Sequence, residues 1–361
     1  MNKPIRILIV DDSSLMRLGI TSIFSDDGQI EIVGEAVDGK QALSMIDELD
    51  PDLVTLDVNM PVMDGLTTLK HLMVVNPKPV VMLSSLTSEG SDITFDALRY
   101  GAVDFVTKPS KAEDGFDQAK ELIVSKVKAA AEVKVDAVRY IRVPENNKDH
   151  GSCTQQCHQV VIVGAAEGGY GSLLKIVPAL RNDMSSAFLV VLYAERKHVE
   201  AFAKYLDSIS AIEVRSACHG ELVEAGVCYI GSGNDYMTLH QDDGMPTLHV
   251  QSAPFDFRKG SVDRTMFSAA EIFGSNVLGI ILSGKDSDGV EGLDEILHNG
   301  GVGIVQDPAS CLFKEMPMSA INQCKPEYVV TDTKISTVIS EVFPGNEELR
   351  DFDKNVSMEI V

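Results

Sequence analysis

The chain has 361 residues, of which 44% are apolar and 24% charged, and a formal net charge of −23. That length exceeds one typical domain and suits two, each able to bury its own core. The acidic balance is repelled by nucleic-acid backbones and anionic bilayers, so both are excluded as general partners in favour of proteins or small molecules. Over the first 110 residues short β-branched runs alternate with stretches of helical length: IRILIV (5–10), EIVGEA (31–36), DLVTLD (52–57), PVVMLSS (79–85) and VDFVT (103–107). This rhythm predicts βαβ units and a parallel, doubly wound α/β sheet. A closing helix is expected over 114–133, where KELIVSKVKAAAEV keeps a helical period.

Residues 134–158 turn polar and lose the rhythm around PENNKDHGS, which marks a linker after a first domain at 1–133. A second alternating set follows, QVVIVGA (159–165), AFLVVLY (187–193), VLGIILSG (277–284) and GVGIVQD (301–307), and predicts a second α/β domain over 159–345. Within it, CYIGSGNDYMTLHQDDGMPTLHV (228–250) has strands and Gly/Asp turns that suggest an antiparallel hairpin on the parallel core. Residues 346–361 read as an acidic tail. No run approaches the roughly 18 apolar residues that span a bilayer, and the N-terminus lacks a cleavage-site pattern, so no membrane insertion and a cytoplasmic location are expected. The six cysteines then read as free thiols. Cys153-x3-Cys157-His158 has no second ligand group at metal-site spacing and reads as linker.

In an open parallel sheet, ligands bind beyond the carboxyl ends of the strands. Asp11 and Asp12 follow the first strand, Asp57 the third, Ser84 the fourth, and Lys108 with Pro109 the fifth. Three carboxylates brought within a few ångströms repel one another unless a cation sits among them, and a hard divalent ion with oxygen ligands, Mg2+, resolves the conflict. Lys108 and Ser84 are suited to the oxygens of a phosphoryl group, so the set reads as a carboxylate that becomes an acyl phosphate.

The stretches VDDSSLMR, LDVNMPVMDGL, MLSSLT and GAVDFVTKPS resemble the receiver domain of two-component response regulators over residues 3–125. The resemblance implies a flavodoxin-like five-stranded fold with strand order 2-1-3-4-5. It also implies Asp57 as phospho-acceptor, a Mg2+ site formed by Asp11, Asp12, Asp57 and the Asn59 carbonyl, phosphate contacts from Ser84 and Lys108, and Phe105 as a switch aromatic. The phosphodonor it implies is a histidine kinase.

The second half resembles the catalytic domain of CheB-type methylesterases through VIVGAAEGG, SVDRTMFSAA, GIILSGKDSDGVEGL, GGVGIVQDPASC and EMPMSAI. Members hydrolyse glutamyl methyl esters on chemoreceptors, and deamidate some glutamines, with a Ser-His-Asp triad. Such chemistry needs a hydroxyl, a base, a carboxylate that orients the base, and oxyanion donors. Where the family has GASTGG this chain has GAAEGG, which places Ala166 at the serine position and Glu167, a charge of the wrong sign, beside it. Tyr193 falls at the histidine position, Asp288 matches the carboxylate, and Lys285 replaces the methionine of the family's TGMG motif. A Glu167–Lys285 ion pair is expected to fill the altered site. Ser172, Ser283 and His198 are the residues that could substitute, and each reads more simply as packing or helix surface. GAAEGG lacks the G-x-G-x-x-G spacing of a dinucleotide site. The expectation is therefore a chemotaxis-type response regulator whose effector domain has lost its hydrolase activity and acts by phosphorylation-gated binding. The alternatives are an active methylesterase/glutaminase with unconventional residues and a receiver that drains phosphoryl groups from its kinase.

Overall fold

The computed structural model describes residues 3–25, 27–84, 88–108, 116–133, 157–252 and 260–344. Residues 134–156, the bulk of the stretch read as linker and including Cys153, lie outside these, as does the tail. The chain divides into two units, Met1–Arg142 and Val143–Val361.

The first unit runs β1 (Ile5–Val10), α1 (Ser14–Ser25), β2 (Ile30–Ala36), α2 (Gly39–Leu49), β3 (Leu53–Asp57), α3 (Gly65–Val75), β4 (Val80–Ser84), α4 (Ser88–Arg99), β5 (Asp104–Thr107) and α5 (Phe116–Ala131). The strands form one parallel sheet in the order β2-β1-β3-β4-β5. Because helices cover both faces, β3 and β4 are buried along their whole length, which is why LVTLD and VVMLS read as continuous apolar runs instead of alternating ones. Asp38 and Asp64 cap α2 and α3 by accepting the amides of Gln41 and Thr67 at 2.9 and 2.7 Å. Those caps fix where the loops at the carboxyl edge of the sheet give way to helix.

The second unit runs β6 (Gln159–Ala165), α6 (Gly169–Ile176), β7 (Ser186–Leu192), α7 (Arg196–Ile209), β8 (Glu213–Ser216), β9 (Glu221–Leu222), β10 (Val227–Ser232), β11 (Asp235–Asp242), β12 (Met245–Ser252), α8 (Ser261–Phe273), β13 (Val277–Ile281), α9 (Val290–His298), β14 (Val302–Gln306), α10 (Glu315–Cys324), β15 (Tyr328–Val330) and α11 (Asp332–Val342). A seven-stranded parallel sheet has the order β15-β14-β13-β6-β7-β10-β8, and β11, β12 and β9 make a small antiparallel sheet. The expected hairpin is confined to 235–252. Residues 227–232 instead form a parallel core strand between β7 and β8, buried at every position, because VCYIGS has no polar face to give to water. Cys157, within the stretch read as linker, is buried in the hydrophobic core of this unit. Successive strands run outward from β6 in opposite directions, to β7 on one side and β13 on the other. This reversal opens a crevice at their carboxyl ends. Among the described residues, no helix is long and apolar enough to cross a membrane.

Candidate functional site

In the first unit the strand ends converge as their positions require. One ligand atom from each of Asp11, Asp12 and Asp57 lies within 4.8 Å of the others. Asp11 and Asp57 are buried and Asp12 is exposed. Lys108 Nζ bridges Asp11 Oδ2 and Asp57 Oδ1 at 2.8 Å each. Burial pushes the Asp57 carboxyl above its ordinary value, against the opposing pull of Lys108 and of the Asn59 amide. Burial pulls Lys108 down, but its bonds to Asp11 and Asp57 outweigh this and its net shift is upward.

One ammonium among three carboxylates leaves the cluster net negative. Asp11 Oδ2, fully buried, meets no well-aligned hydrogen-bond donor and has only this ion pair. An all-oxygen donor set of this charge fits a hard divalent cation, and Asp11, Asp12 and Asp57 could hold Mg2+. Gly65 is required here, since a Cβ at that position would overlap the Asp57 carbonyl oxygen. The loop from Asp57 to Gly65 also holds Val62 at φ 67, a left-handed conformation that a β-branched side chain adopts only under strain.

Ser84 sits at the end of β4 but turns its hydroxyl to Thr94 Oγ1 at 2.9 Å, while its carbonyl accepts the Lys108 amide. Phe105 is buried, edge-on to Phe95. Its carbonyl accepts from Lys126, whose ammonium also pairs with Asp104 at 2.9 Å.

In the second unit, Ala166, Tyr193 and Asp288 follow β6, β7 and β13, the three strands at the crevice. Ala166 is buried, with its amide bound to the Ser283 carbonyl. The Tyr193 hydroxyl donates to Asp288 Oδ2. Its ring lies against Gly233, where a Cβ would come within 2.5 Å of Tyr193 Cδ1, so glycine there makes room for the tyrosine. Burial and the charge of Asp288 push the Tyr193 hydroxyl far above its ordinary range. Asp288 has a second task. Its Oδ2 accepts the Val262 amide at 2.9 Å and its Oδ1 the Asp263 amide at 3.1 Å, so the carboxylate caps the N-terminus of α8.

Asp263, which sequence reasoning passed over inside SVDRTM, repays this arrangement by accepting the Gly292 amide at 2.8 Å in the first turn of α9. Burial, with the nearby Asp288 charge adding to it, pushes its carboxyl up to about 7. The folded chain therefore keeps a proton that the unfolded chain gives up near the ordinary value of about 3.8. Stability falls as pH rises from about 4 to 7, and the cost of the ionised group persists above that. Asp263→Asn, which preserves the oxygen that caps α9, is expected to flatten this dependence. After allowance for solvent screening the gain at pH 8 is about 1 kcal/mol, or roughly 2–4 °C. Thermal melts at pH 5 and pH 8 check this, and an unchanged difference between the two pH values counts against it.

The expected Glu167–Lys285 ion pair is not formed. Glu167 makes no ion pair among the described residues, and the Lys285 ammonium lies over the Phe313 ring, 4.5 Å from its centroid. Beside them the Ser283 hydroxyl holds the backbone, bonding the Glu167 and Phe313 carbonyls at 2.7 and 3.2 Å and accepting the Phe313 amide at 3.0 Å. Those bonds engage the Ser283 hydroxyl with backbone on both sides. Ser172 is buried against Gln306 and Asp332. His198 has its Nε2 buried without a partner and is held below its ordinary value by burial.

Comparison with known proteins places this geometry. A response regulator receiver domain model matches residues 7–120, and a CheB methylesterase model matches residues 161–339. A protein-glutamate methylesterase/protein-glutamine glutaminase of Pyrococcus horikoshii is 37% identical over 350 residues, 95% of each chain. The protein of the same name from Archaeoglobus fulgidus is 38% identical over 320 residues, 88% of this chain and 91% of its own. The crystal structure of the Thermotoga maritima CheB methylesterase catalytic domain is 30% identical and covers 51% of this chain and 98% of that one, with a TM-score of 0.49. Two full-length relatives at this identity, with both family models in the same order, establish that the chain belongs to the CheB-type response regulators, a receiver domain followed by a methylesterase-type domain.

Proposed function

We propose that the receiver is phosphorylated on Asp57 by a histidine kinase and that the methylesterase-type domain, no longer a hydrolase, acts by binding under control of that phosphorylation. In the first step an Asp57 carboxylate oxygen attacks the phosphorus of a phosphohistidine, and the donor imidazole leaves. Lys108, already bonded to Asp57 and Asp11, is placed to follow the phosphoryl oxygens. Asp11, Asp12 and Asp57, with the Asn59 carbonyl, would hold Mg2+, which would supply charge neutralisation for the incoming phosphoryl group. Ser84 contributes to this contact only if its hydroxyl leaves Thr94, and Phe105, packed on Phe95, is the aromatic whose position reports the change.

The observation that carries the loss of hydrolysis is the occupation of Asp288. Its oxygens serve the Tyr193 hydroxyl and two amides of α8, so its retention is accounted for by a structural task. Ala166 has no nucleophilic atom, and Tyr193, shifted upward, neither ionises nor accepts a proton near neutral pH. In a serine hydrolase, loss of serine or histidine alone costs on the order of 10^6 in kcat. With both gone, ester hydrolysis falls to the background.

The second reading, an active methylesterase/glutaminase, is favoured by the names of the relatives. Methanol release from methylated chemoreceptor by the phosphorylated full-length chain decides between the two. Release at the blank rate is expected, and release clearly above it establishes the second reading. The binding partner, a chemoreceptor or another signalling protein, is sought by capture with the phosphorylated chain against an Asp57→Ala blank.

A further inference from the structure

The small antiparallel sheet carries a cluster that neither the phosphorylation chemistry nor the effector crevice uses. Three of the eight histidines of the chain meet on its outer face: His219 from the loop between β8 and β9, His240 from β11 and His249 from β12. The His240 and His249 rings stack at 3.9 Å and 16°, and the His219 ring meets His249 at 4.8 Å. Strand register explains the meeting. Thr238 lies opposite His249, so His240, two residues on, shares its face and sits on the diagonal. The opposite face of the same sheet buries Met237, Leu239 and Leu248.

We propose that this cluster is a site for a borderline divalent transition-metal ion of the Zn2+ class. Neutral imidazole nitrogen is the preferred ligand for such ions, and three of them from separate chain segments form a familiar nitrogen set. Asp242 Oδ2 lies 3.1 Å from His249 Nε2. When that nitrogen donates its proton to the carboxylate, the lone pair is left on Nδ1 and the ring is oriented, which is the part an outer carboxylate plays behind a metal-bound histidine. His240 Nε2 lies 3.1 Å from Thr238 Oγ1, and in the tautomer that donates to this oxygen the lone pair is left on Nδ1. Among the described residues only Asp11, Asp12 and Asp57 present three ligand atoms already within 4.8 Å of one another. The histidines therefore gather around the ion by rotation of the exposed His219 and His240 rings, and the ordering of those side chains weakens the site relative to a preformed one. An ion held there ties the β8–β9 loop to the β11–β12 hairpin.

The test is calorimetric titration of the full-length chain with Zn2+ in excess Mg2+, which occupies the carboxylates of the receiver. One ion per chain is expected, with affinity unchanged in Asp57→Ala. His240→Ala and His249→Ala are each expected to weaken binding at least tenfold, and Asp242→Asn by about tenfold, since outer carboxylates typically contribute about 10- to 100-fold to metal affinity. Cys218 is exposed beside His219, and Cys218→Ser is expected to leave binding intact. Because the substitutions lie on a solvent-facing sheet surface, melts without metal should match the native chain, while only the native chain gains stability when Zn2+ is added. Absence of binding by the native chain, or equal binding by a His240→Ala/His249→Ala variant, overturns the proposal.

Discussion

Asp57→Asn is expected to reduce phosphoryl incorporation to background, measured as labelled phosphate retained from a histidine kinase or a small acyl phosphate in Mg2+. An amide has no carboxylate oxygen to attack phosphorus. Lys108→Ala keeps the nucleophile but removes the ammonium that bridges the two buried carboxylates. It is expected to slow transfer by about 10^2-fold, the scale of losing one preorganised charge-stabilising donor. Chelation of Mg2+ is expected to slow the same step in the native chain. Retention of label at the native level in Asp57→Asn would move the acceptor elsewhere.

The second large effect concerns the effector crevice. If the hydrolase pair is lost as proposed, restoring one half of it is expected to do nothing, because residues that act as a unit lose nearly everything when either is absent. Ala166→Ser adds a hydroxyl without a base, since Tyr193 is itself a donor to Asp288 and cannot accept its proton. In Tyr193→His an imidazole takes the place of the phenol at Asp288, with no nucleophile to activate. Only Ala166→Ser/Tyr193→His supplies both, and ester hydrolysis is expected to rise by at least about 10^2-fold over the native chain. The ceiling is set by Glu167, whose charge beside a developing oxyanion opposes it, and by Lys285, drawn to Phe313. Asp288 should tolerate the exchange because its two amide bonds to α8 do not depend on the partner. If Ala166→Ser alone gains as much as the pair, a base other than residue 193 operates, and His198 is the first to replace.

The receiver was legible because its signals are local. Each acid or base of the cluster ends or follows a strand, and parallel strands with covered faces align their carboxyl ends without further instruction. The resemblance to the family's motifs, and not strand-end logic, singled out Ala166, Tyr193 and Asp288, which the fold brings to one crevice after three separate strands. Where the residue pattern misled, the missing quantity was direction. VCYIGS announces a buried strand but not whether it runs parallel, and it joined the core sheet instead of the hairpin.

The sequence by itself determined the two α/β units, the acidic cluster with its lysine, and the alanine and glutamate of the GAAEGG turn. Tertiary structure alone decided what each side chain does there. Asp263 and Asp288 are 25 positions apart in the chain and become reciprocal helix caps, and Lys285 turns to the Phe313 ring and away from Glu167. The three imidazoles gather across strands whose pairing no local pattern specifies. Strand ends are set by short-range periodicity and turn chemistry, but side-chain partners depend on packing between segments distant in the chain, where one rotamer or one competing hydroxyl is enough to redirect a charge.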